Sequence, residues 1–310
     1  MRITNNTLTG NYLRNLNRNL KQMQKYQNQL SSGKEVSRPS DNPMLVARVM
    51  QLDGNVRMNE QYEKNINDAL GWTDTADGAM NEVTSTLQRA RELIIYGANG
   101  TLSDTDRAAL KDEMDTLQGQ LQQVLNSNYD GRYIFGSLKT TEPPFTINDL
   151  GALEYKGYNP AGGEPGHIGL DREIAKGVTI TIPANGYNIV HVEGASGDNN
   201  DIGNLFVNIS KALEDGKTEA LSGDLLGDID KHLDNSIRFR SKMGAVYNRL
   251  ESAKERNAAE NLSMTELLSK SEDTDLAEKM MEFSTMRTVY QASLQTGAQI
   301  LQPSLLDYIR

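Results

Sequence analysis

The sequence contains no cysteine and few of the residues that most often build catalytic or metal sites. Its 310 residues include three histidines and one tryptophan. Without cysteine, disulfides, thiolate metal sites and cysteine nucleophiles are excluded. His167, His191 and His232 lie far apart and belong to no HExxH or nucleophile-elbow pattern. Nothing local therefore supports a catalytic role for a histidine.

The chain also lacks an excess of positive charge and any long apolar run. Its formal net charge is -10 and its pI is near 5.0, which argues against a nucleic-acid partner. No apolar run approaches the length of a membrane span, and the first seven residues show no secretory signal. We expect no nucleic-acid partner, no membrane span and no cleaved signal peptide.

Short motifs for nucleotide and metal binding are present only as fragments. Gly33-Lys34 and Gly216-Lys217-Thr218 lack the first glycine of a P-loop. Residues 198–201 read Asp-Asn-Asn-Asp, but Ile202 follows and no glutamate stands at the EF-hand spacing. The sequence therefore predicts no cofactor, no metal and no catalytic residue. A hydrolase with paired carboxylates stays a distant alternative, because convergence of carboxylates depends on the fold.

Apolar residues toward both ends of the chain recur with the 3-4 spacing of helices that pair with other helices. Breaks are expected at Gly33–Pro43 and at Gly97–Thr105, because proline and glycine interrupt helices. The apolar stripes run through residues 13–30, 45–70, 80–94, 110–124, 226–250 and 276–294.

Residues 136–225 differ from both ends. They hold 14 of the 26 glycines and five of the eight prolines, a composition typical of strands and turns. Residues 178–182 and 187–192 flank Pro-Ala-Asn-Gly, which predicts a β-hairpin. Helical spacing from Ile202 to Leu213 follows Asp201, which we expect to cap a short helix.

The predicted fold class is mainly α: an elongated helical coiled-coil rod formed by the N- and C-terminal segments, with an inserted β-rich domain. We expect three domains. They are a terminal helical coiled-coil domain (1–44 and 272–310), a helical rod (45–135 and 226–271) and the β-rich insert (136–225).

The two ends of the chain carry opposite charge. The first 34 residues contain six cations and no acidic residue, whereas residues 272–282 contain five acidic residues. Apolar stripes with complementary flanks suggest that the terminal helices pair with each other. Periodicity leaves open whether this pairing is a hairpin within one molecule or packing between molecules.

Three segments carry a resemblance to a known family. Leu30–Pro43, which reads LSSGKEVSRPSDNP, resembles the N-terminal motif of the flagellin superfamily, and residues 271–306 resemble its closing helix. Arg132–Ser137, reading RYIFGS, followed by Pro143–Phe145, resembles the branch that joins the flagellar hook to the filament. The resemblance implies a non-enzymatic, extracellular structural adaptor exported by the flagellar type III apparatus. The alternatives are a filament subunit and, distantly, a secreted hydrolase within residues 136–225.

The same resemblance implies partners and a contact loop, and the apolar stripes of the terminal helices suggest packing residues. The partners are further copies of the chain in a ring, a neighbouring hook-associated protein, flagellin, and an export chaperone on the C-terminal helix. We expect packing of the terminal helices to drive assembly. The predicted packing residues are Leu13, Leu16, Leu20, Met23, Leu30, Met280, Phe283, Tyr290, Leu294 and Leu301. The predicted contact loop comprises Arg38, Pro39, Asp41, Asn42 and Pro43.

Overall fold

The computed structural model describes residues 5–36, 38–157, 169–183 and 185–300, and most of these residues are helical. Long helices toward both ends of the chain pack together, and a small β region lies between them in sequence, as predicted. In chain order the elements are α1 (Asn5–Ser32), α2 (Pro43–Gly97), α3 (Asp104–Leu125), β1 (Asn128–Tyr129), β2 (Arg132–Tyr133), β3 (Phe145–Ile147), β4 (Leu153–Tyr155), β5 (Gly169–Ala175), β6 (Val178–Pro183), α4 (Tyr187–Val190), a 3-10 turn (Gly197–Asn200), α5 (Ile202–Glu214), α6 (Thr218–Ala220), a π turn (Leu221–Leu225), α7 (Leu226–Glu272) and α8 (Leu276–Ile300).

The chain forms two compact units. Residues 1–58 and 259–310 form one, here called the terminal unit, and residues 59–258 form the other, called the core unit. The division into three domains made from the sequence stays a prediction.

The expected helix breaks are confirmed. α1 ends at Ser32 and α2 begins at Pro43, while α2 ends at Gly97 and α3 begins at Asp104. Ser103 and Asp106 form a reciprocal capping box at the start of α3, and hydrogen bonds from Ser103 hold the pKa of Asp106 below its ordinary value.

Among the described residues, the apolar core lies entirely within the core unit. Its buried members, among the described residues, extend along the chain from Ile66 to Ala253. α2, α3, α5 and α7 contribute most of them, and the largest include Phe206, Phe135 and Phe145, all 0% exposed. Burial of this set is the main source of stability for the unit.

Polar pairs set the antiparallel alignment of α2 and α7 within the core unit. The Nδ2 of Asn59 donates to the carbonyl oxygen of Asn257 at 3.0 Å, and the Nδ2 of Asn257 donates to the Oδ1 of Asn59 at 2.7 Å. Both residues are buried. The hydroxyls of Thr84 and Ser236 lie 2.9 Å apart further along the same helices. Buried polar pairs of this kind favour one register of a helix pair, because sliding would leave them unpaired.

Within the described residues, the β region contains three antiparallel two-stranded pairings. Asp130 and Gly131 both have positive φ and close the β1–β2 turn, as Asp-Gly does in tight hairpins. The predicted hairpin of residues 178–182 with 187–192 is wrong. β6 pairs instead with the preceding β5 through a turn containing Gly177, and residues 187–190 form a helical turn. The Oδ1 of Asn185 accepts from the amide of Tyr187 and helps to begin that turn.

The short helix predicted after Asp201 is confirmed as α5. The carboxylate of Asp201 accepts from the amide of Gly203 at 2.8 Å and caps the helix. Burial raises the pKa of Asp201, although the amide hydrogen bond opposes this shift.

A buried polar cluster joins the insert to α7. Asp228 is 0% exposed and accepts from the amide of Ser196, the Nδ2 of Asn199 at 2.8 Å and the Nζ of Lys231 at 3.0 Å. Burial alone would raise the pKa of Asp228, but these hydrogen bonds outweigh it and hold the pKa below its ordinary value. His232 lies 2.9 Å from the carbonyl of Asn199, and burial lowers the pKa of this histidine.

Candidate assembly site

The terminal unit is built on the antiparallel pairing of α1 and α8. Near one end the hydroxyl of Tyr12 donates to the carbonyl of Ser293 at 2.8 Å. Near the other end the Nζ of Lys279 lies over the ring of Tyr26, 5.8 Å from its centroid. The pairing of the terminal helices expected from the sequence is therefore present within a single molecule.

The predicted packing residues divide by exposure. Leu16, Leu20, Met23, Leu30, Phe283 and Tyr290 are half-buried, whereas Leu13, Met280 and Leu294 are exposed. Leu301 lies outside the described residues. The exposed members leave apolar surface on both helices of the pair.

Several residues of the helix pair were not predicted. Half-buried positions of α1 follow a 3-4 spacing through Tyr12, Leu16, Asn19, Met23, Tyr26 and Leu30. On α8, Ser293 accepts from Tyr12, and buried Gly297 lies so close to the Tyr12 ring that a side chain there would collide with it. Leu16, Met23 and Leu30 were predicted. Asn19, Ser293 and Gly297 are polar or small, so an apolar stripe does not include them. The interleaved tyrosines were the available signal.

The described part of the terminal unit has little buried interior. Among its described residues, only Gln29 and Gly297 are buried, and neither is a large apolar side chain. An isolated pair of helices without a core is marginal in water, because nucleation and ordering cost more than partial burial returns. Full stability of α1 and α8 therefore needs further surface to cover them.

A tight corner joins the end of α1 to the turn between α7 and α8. Gly33 has φ of +70°, which ends α1 in the left-handed conformation that glycine favours. The amide of Glu35 donates to the carbonyl of Glu272 at 2.7 Å, and the amide of Thr274 donates to the carbonyl of Gly33 at 3.1 Å. The Lys34 ammonium pairs with the Glu272 carboxylate, and this hydrogen bond raises the pKa of Lys34.

Glu35 connects the same corner to α8. Its carboxylate accepts from the hydroxyl of Thr274 at 3.0 Å and lies 3.7 Å from the Nζ of Lys279. Lys279 also pairs with Glu282 at 3.1 Å, and this hydrogen bond raises the pKa of Lys279. The corner thus fixes the direction in which α1 meets α8.

All five predicted contact-loop residues are exposed. Two of them also define the start of α2. The Oδ1 of Asn42 accepts from the amide of Leu45 at 3.2 Å, and Pro43 is the first helical residue. Asparagine before the helix and proline at its first position are favourable, since the first amides of a helix lack partners within it. Arg38, Pro39 and Asp41 stay available for contacts with other molecules.

The complementary charges of the two ends act at the corner, not along the helix pair. Within the described residues, the side chains of Arg14, Arg18, Lys21 and Lys25 form no ion pair with an acidic residue. The opposite charges of the ends therefore do not explain why α1 meets α8.

The segment that resembles the hook-joining branch lies in the core unit. Ile134, Phe135 and Phe145 are 0% exposed, and Phe135 packs edge-on against Phe239 with centroids 6.5 Å apart. A side chain at Gly136 would collide with the carbonyl of Lys139. The residues that carry the resemblance in this segment therefore form a packed turn.

The polar motif at residues 198–201 serves the fold. Asn199 bonds Asp228 and accepts from Asn208 at 2.7 Å, while Asn200 accepts from the amide of Ala195 at 3.0 Å. Among the residues that the structure describes, no cluster of three potential metal ligands occurs. In the same residues, no helix has the length and apolar character needed to cross a membrane.

Profiles of two regions match the chain: the bacterial flagellin N-terminal helical region over residues 3–140, and the C-terminal helical region over residues 226–309. Flagellar hook-associated protein 3 of Escherichia coli K12 is 28% identical, with 99% of each chain aligned. A flagellin of Halalkalibacterium halodurans is 29% identical, with 97% of this chain and 96% of the relative aligned.

Solved structures share the fold. A flagellar hook-associated protein from Vibrio parahaemolyticus aligns with a TM-score of 0.64 at 20% identity, covering 75% of this chain and 100% of that one. The flagellar junction protein FlgL from Legionella pneumophila aligns with a TM-score of 0.55 at 15% identity, covering 66% and 99%.

Proposed function

Because this chain belongs to the flagellin family of structural, non-enzymatic flagellar subunits, we propose that it joins the flagellar hook to the filament. The observation that carries the proposal is the alignment along 99% of its length with a hook-associated protein of similar size. The chain acts as an adaptor: it assembles on the hook side and presents a surface on which flagellin begins to polymerise.

The terminal unit supports an assembly role. Among the described residues, its helices have almost no buried interior and leave Leu13, Met280 and Leu294 exposed. Packing against neighbouring subunits would cover these side chains and supply the stability that the isolated pair lacks. In this proposal the exposed contact loop, from Arg38 to Pro43, touches an adjacent subunit.

A strain lacking this chain tests the proposed function. We expect hooks without filaments and flagellin released into the medium, because polymerisation has lost its starting surface. Electron microscopy of the cells and immunoblots of the medium provide the measurement. Normal filaments in the deletion strain would refute the adaptor role. Long filaments formed by the purified chain alone would favour the rival filament-subunit role.

The proposed partners are further copies of the chain, a neighbouring hook-associated protein, flagellin and an export chaperone. The proposed location is outside the cell at the hook-filament junction. The chaperone proposal rests on α8, where Met280 and Met281 are 67% and 66% exposed. Flexible, apolar methionines suit a surface that is shielded first by one protein and later by another.

Substitution of both methionines tests the chaperone contact. Met280→Asp with Met281→Asp should weaken capture of the full chain by the chaperone of the same flagellar system about tenfold or more. Leu262→Asp with Leu267→Asp changes two exposed leucines of α7 by the same charge and serves as the control. Titration calorimetry measures both affinities. Equal affinities for the two variants would place the chaperone elsewhere.

A further inference from the structure

Four cations form one exposed stripe along α1. Arg14, Arg18, Lys21 and Lys25 are separated by four, three and four residues, so they share one face of the helix. All four are exposed, and α1 contains no acidic residue. We call this set the basic stripe.

The basic stripe lies on the face of α1 turned away from α8. Residues 12, 16, 19, 23, 26 and 30 face α8 and are half-buried, and the cations occupy the heptad positions opposite to them. Arg14 bonds the side chain of neighbouring Asn11. Within the described residues, none of the four forms an ion pair.

An unpaired stripe of like charges weakens the helix that carries it. Like charges four residues apart repel on a helix surface, and α1 already lacks a buried core. Counter-charge from another molecule would remove this repulsion and favour the helical form of α1. The basic stripe therefore has the properties of a binding surface whose charges a partner neutralises.

The same unit carries an acidic segment, residues 260–282, with seven acidic residues and two lysines. Glu272 and Glu282 already pair with Lys34 and Lys279. Glu260, Asp273 and Glu278 are exposed and form no ion pair within the described residues. The fold of one molecule thus leaves unpaired cations along α1 and carboxylates without an ion pair at three positions of the acidic segment.

Building on the adaptor role proposed above, we infer that the basic stripe docks on the acidic segment of a second copy of this chain. The charge complementarity of two surfaces on one chain argues for this occupant. The contact joins different patches on the two copies, and such contacts repeated through many copies generate rings or helical tubes. Opposed charges mainly select the partner and its orientation, while the apolar side chains add the burial.

Paired charge reversals test this contact in living cells. One variant carries Arg14→Glu, Arg18→Glu, Lys21→Glu and Lys25→Glu; the other carries Glu260→Lys, Asp273→Lys and Glu278→Lys. Each variant alone should lower the amount of the protein bound to hooks about tenfold or more, because like charges meet at every contact. Expressed together they should restore binding, since each reversed surface then meets its complement on the other variant.

Controls separate the stripe from global charge, export and folding. Lys64→Glu, Arg249→Glu, Lys254→Glu and Arg256→Glu reverse four exposed cations elsewhere and should leave hook binding unchanged. The amount of each variant in the medium reports export, and thermal melting of each purified variant reports folding.

The outcomes are distinct. Wild-type hook binding by either single variant would overturn the contact, and so would failure of co-expression to restore binding, which would assign the stripe to another acidic partner. Failure of the adaptor role itself would be visible separately, as filaments in the deletion strain.

Discussion

Replacing Phe206 with alanine is expected to lower the free energy of unfolding by about 3–5 kcal/mol. Phe206 lies on α5 in the core unit and is 0% exposed, so the substitution removes burial and leaves a cavity. Phe283 is a half-buried residue of α8, and Phe283→Ala is the matched change in the terminal unit. It should leave unfolding of the core unit nearly unchanged while reducing the amount of protein found on hooks.

Chemical denaturation followed by circular dichroism measures the first effect, and immunoblots of purified hooks measure the second. The contrast follows from the position of the apolar core, whose buried members lie between Ile66 and Ala253. An equal loss of stability in the two variants would show that α8 belongs to the same cooperative unit as α5. That result would remove the argument that terminal helices gain their stability from assembly.

Asp228→Ala is expected to lower the free energy of unfolding by about 2–4 kcal/mol. The substitution leaves the amide of Ser196 and the buried side chain of Asn199 without their acceptor. Asp230→Ala, two residues away, breaks the ion pair with Arg91 on the surface and should cost about 0.2–1 kcal/mol. Denaturant midpoints of the two variants give the comparison. A similar cost at both positions would contradict the proposed importance of the buried cluster.

The same cluster makes stability depend on pH in a defined direction. Burial lowers the pKa of His232 in the folded chain below its ordinary value near 6.5, so protonation favours the unfolded chain. Stability should begin to fall as the pH drops below about 6.5 and continue to fall toward the folded pKa. The lowered pKa of Asp228 adds a second loss below pH about 3.8. The pKa of Asp201 is raised in the folded chain, so its protonation at low pH favours the folded chain and opposes these losses.

His232→Gln should weaken the first of these two losses, because glutamine carries no titrating group and can still donate to the carbonyl of Asn199. Thermal melting at pH about 7.5 and about 5.5 compares it with the unsubstituted chain. An unchanged difference in melting temperature between the two pH values would assign the loss to other groups.

The sequence predicts helices and their ends well where local chemistry decides them. Asp201 before an apolar helical spacing locates α5, and the glycines and prolines near residues 33–43 and 97–105 locate two breaks. Such signals act within one or two turns of chain, so no tertiary contact is needed to interpret them. The incorrect hairpin prediction shows the limit of such local signals. Asn-Gly at 185–186 suits a turn, but β6 pairs with the preceding β5 through the turn that contains Gly177.

The details of the candidate site depend on contacts between distant residues. Tyr12 meets Ser293 and Gly297, and Glu35 meets Lys279, across more than 240 positions of sequence. An apolar stripe indicates that α1 pairs with another helix. It does not determine which residues beside the stripe that helix covers. Asn19 and Tyr26 are half-buried and share the spacing of the covered face. Leu13, at the edge, stays exposed.

The reciprocal amides of Asn59 and Asn257 have a mechanical consequence. A pull along α2 loads its contact with α7 in shear, and sliding by one helical turn, about 5.4 Å, would separate the two amides. Both buried side chains would then lose these hydrogen bonds, which raises the free energy of the displaced position. In the role proposed above, a subunit pulled along its helices would therefore resist sliding of α2 against α7.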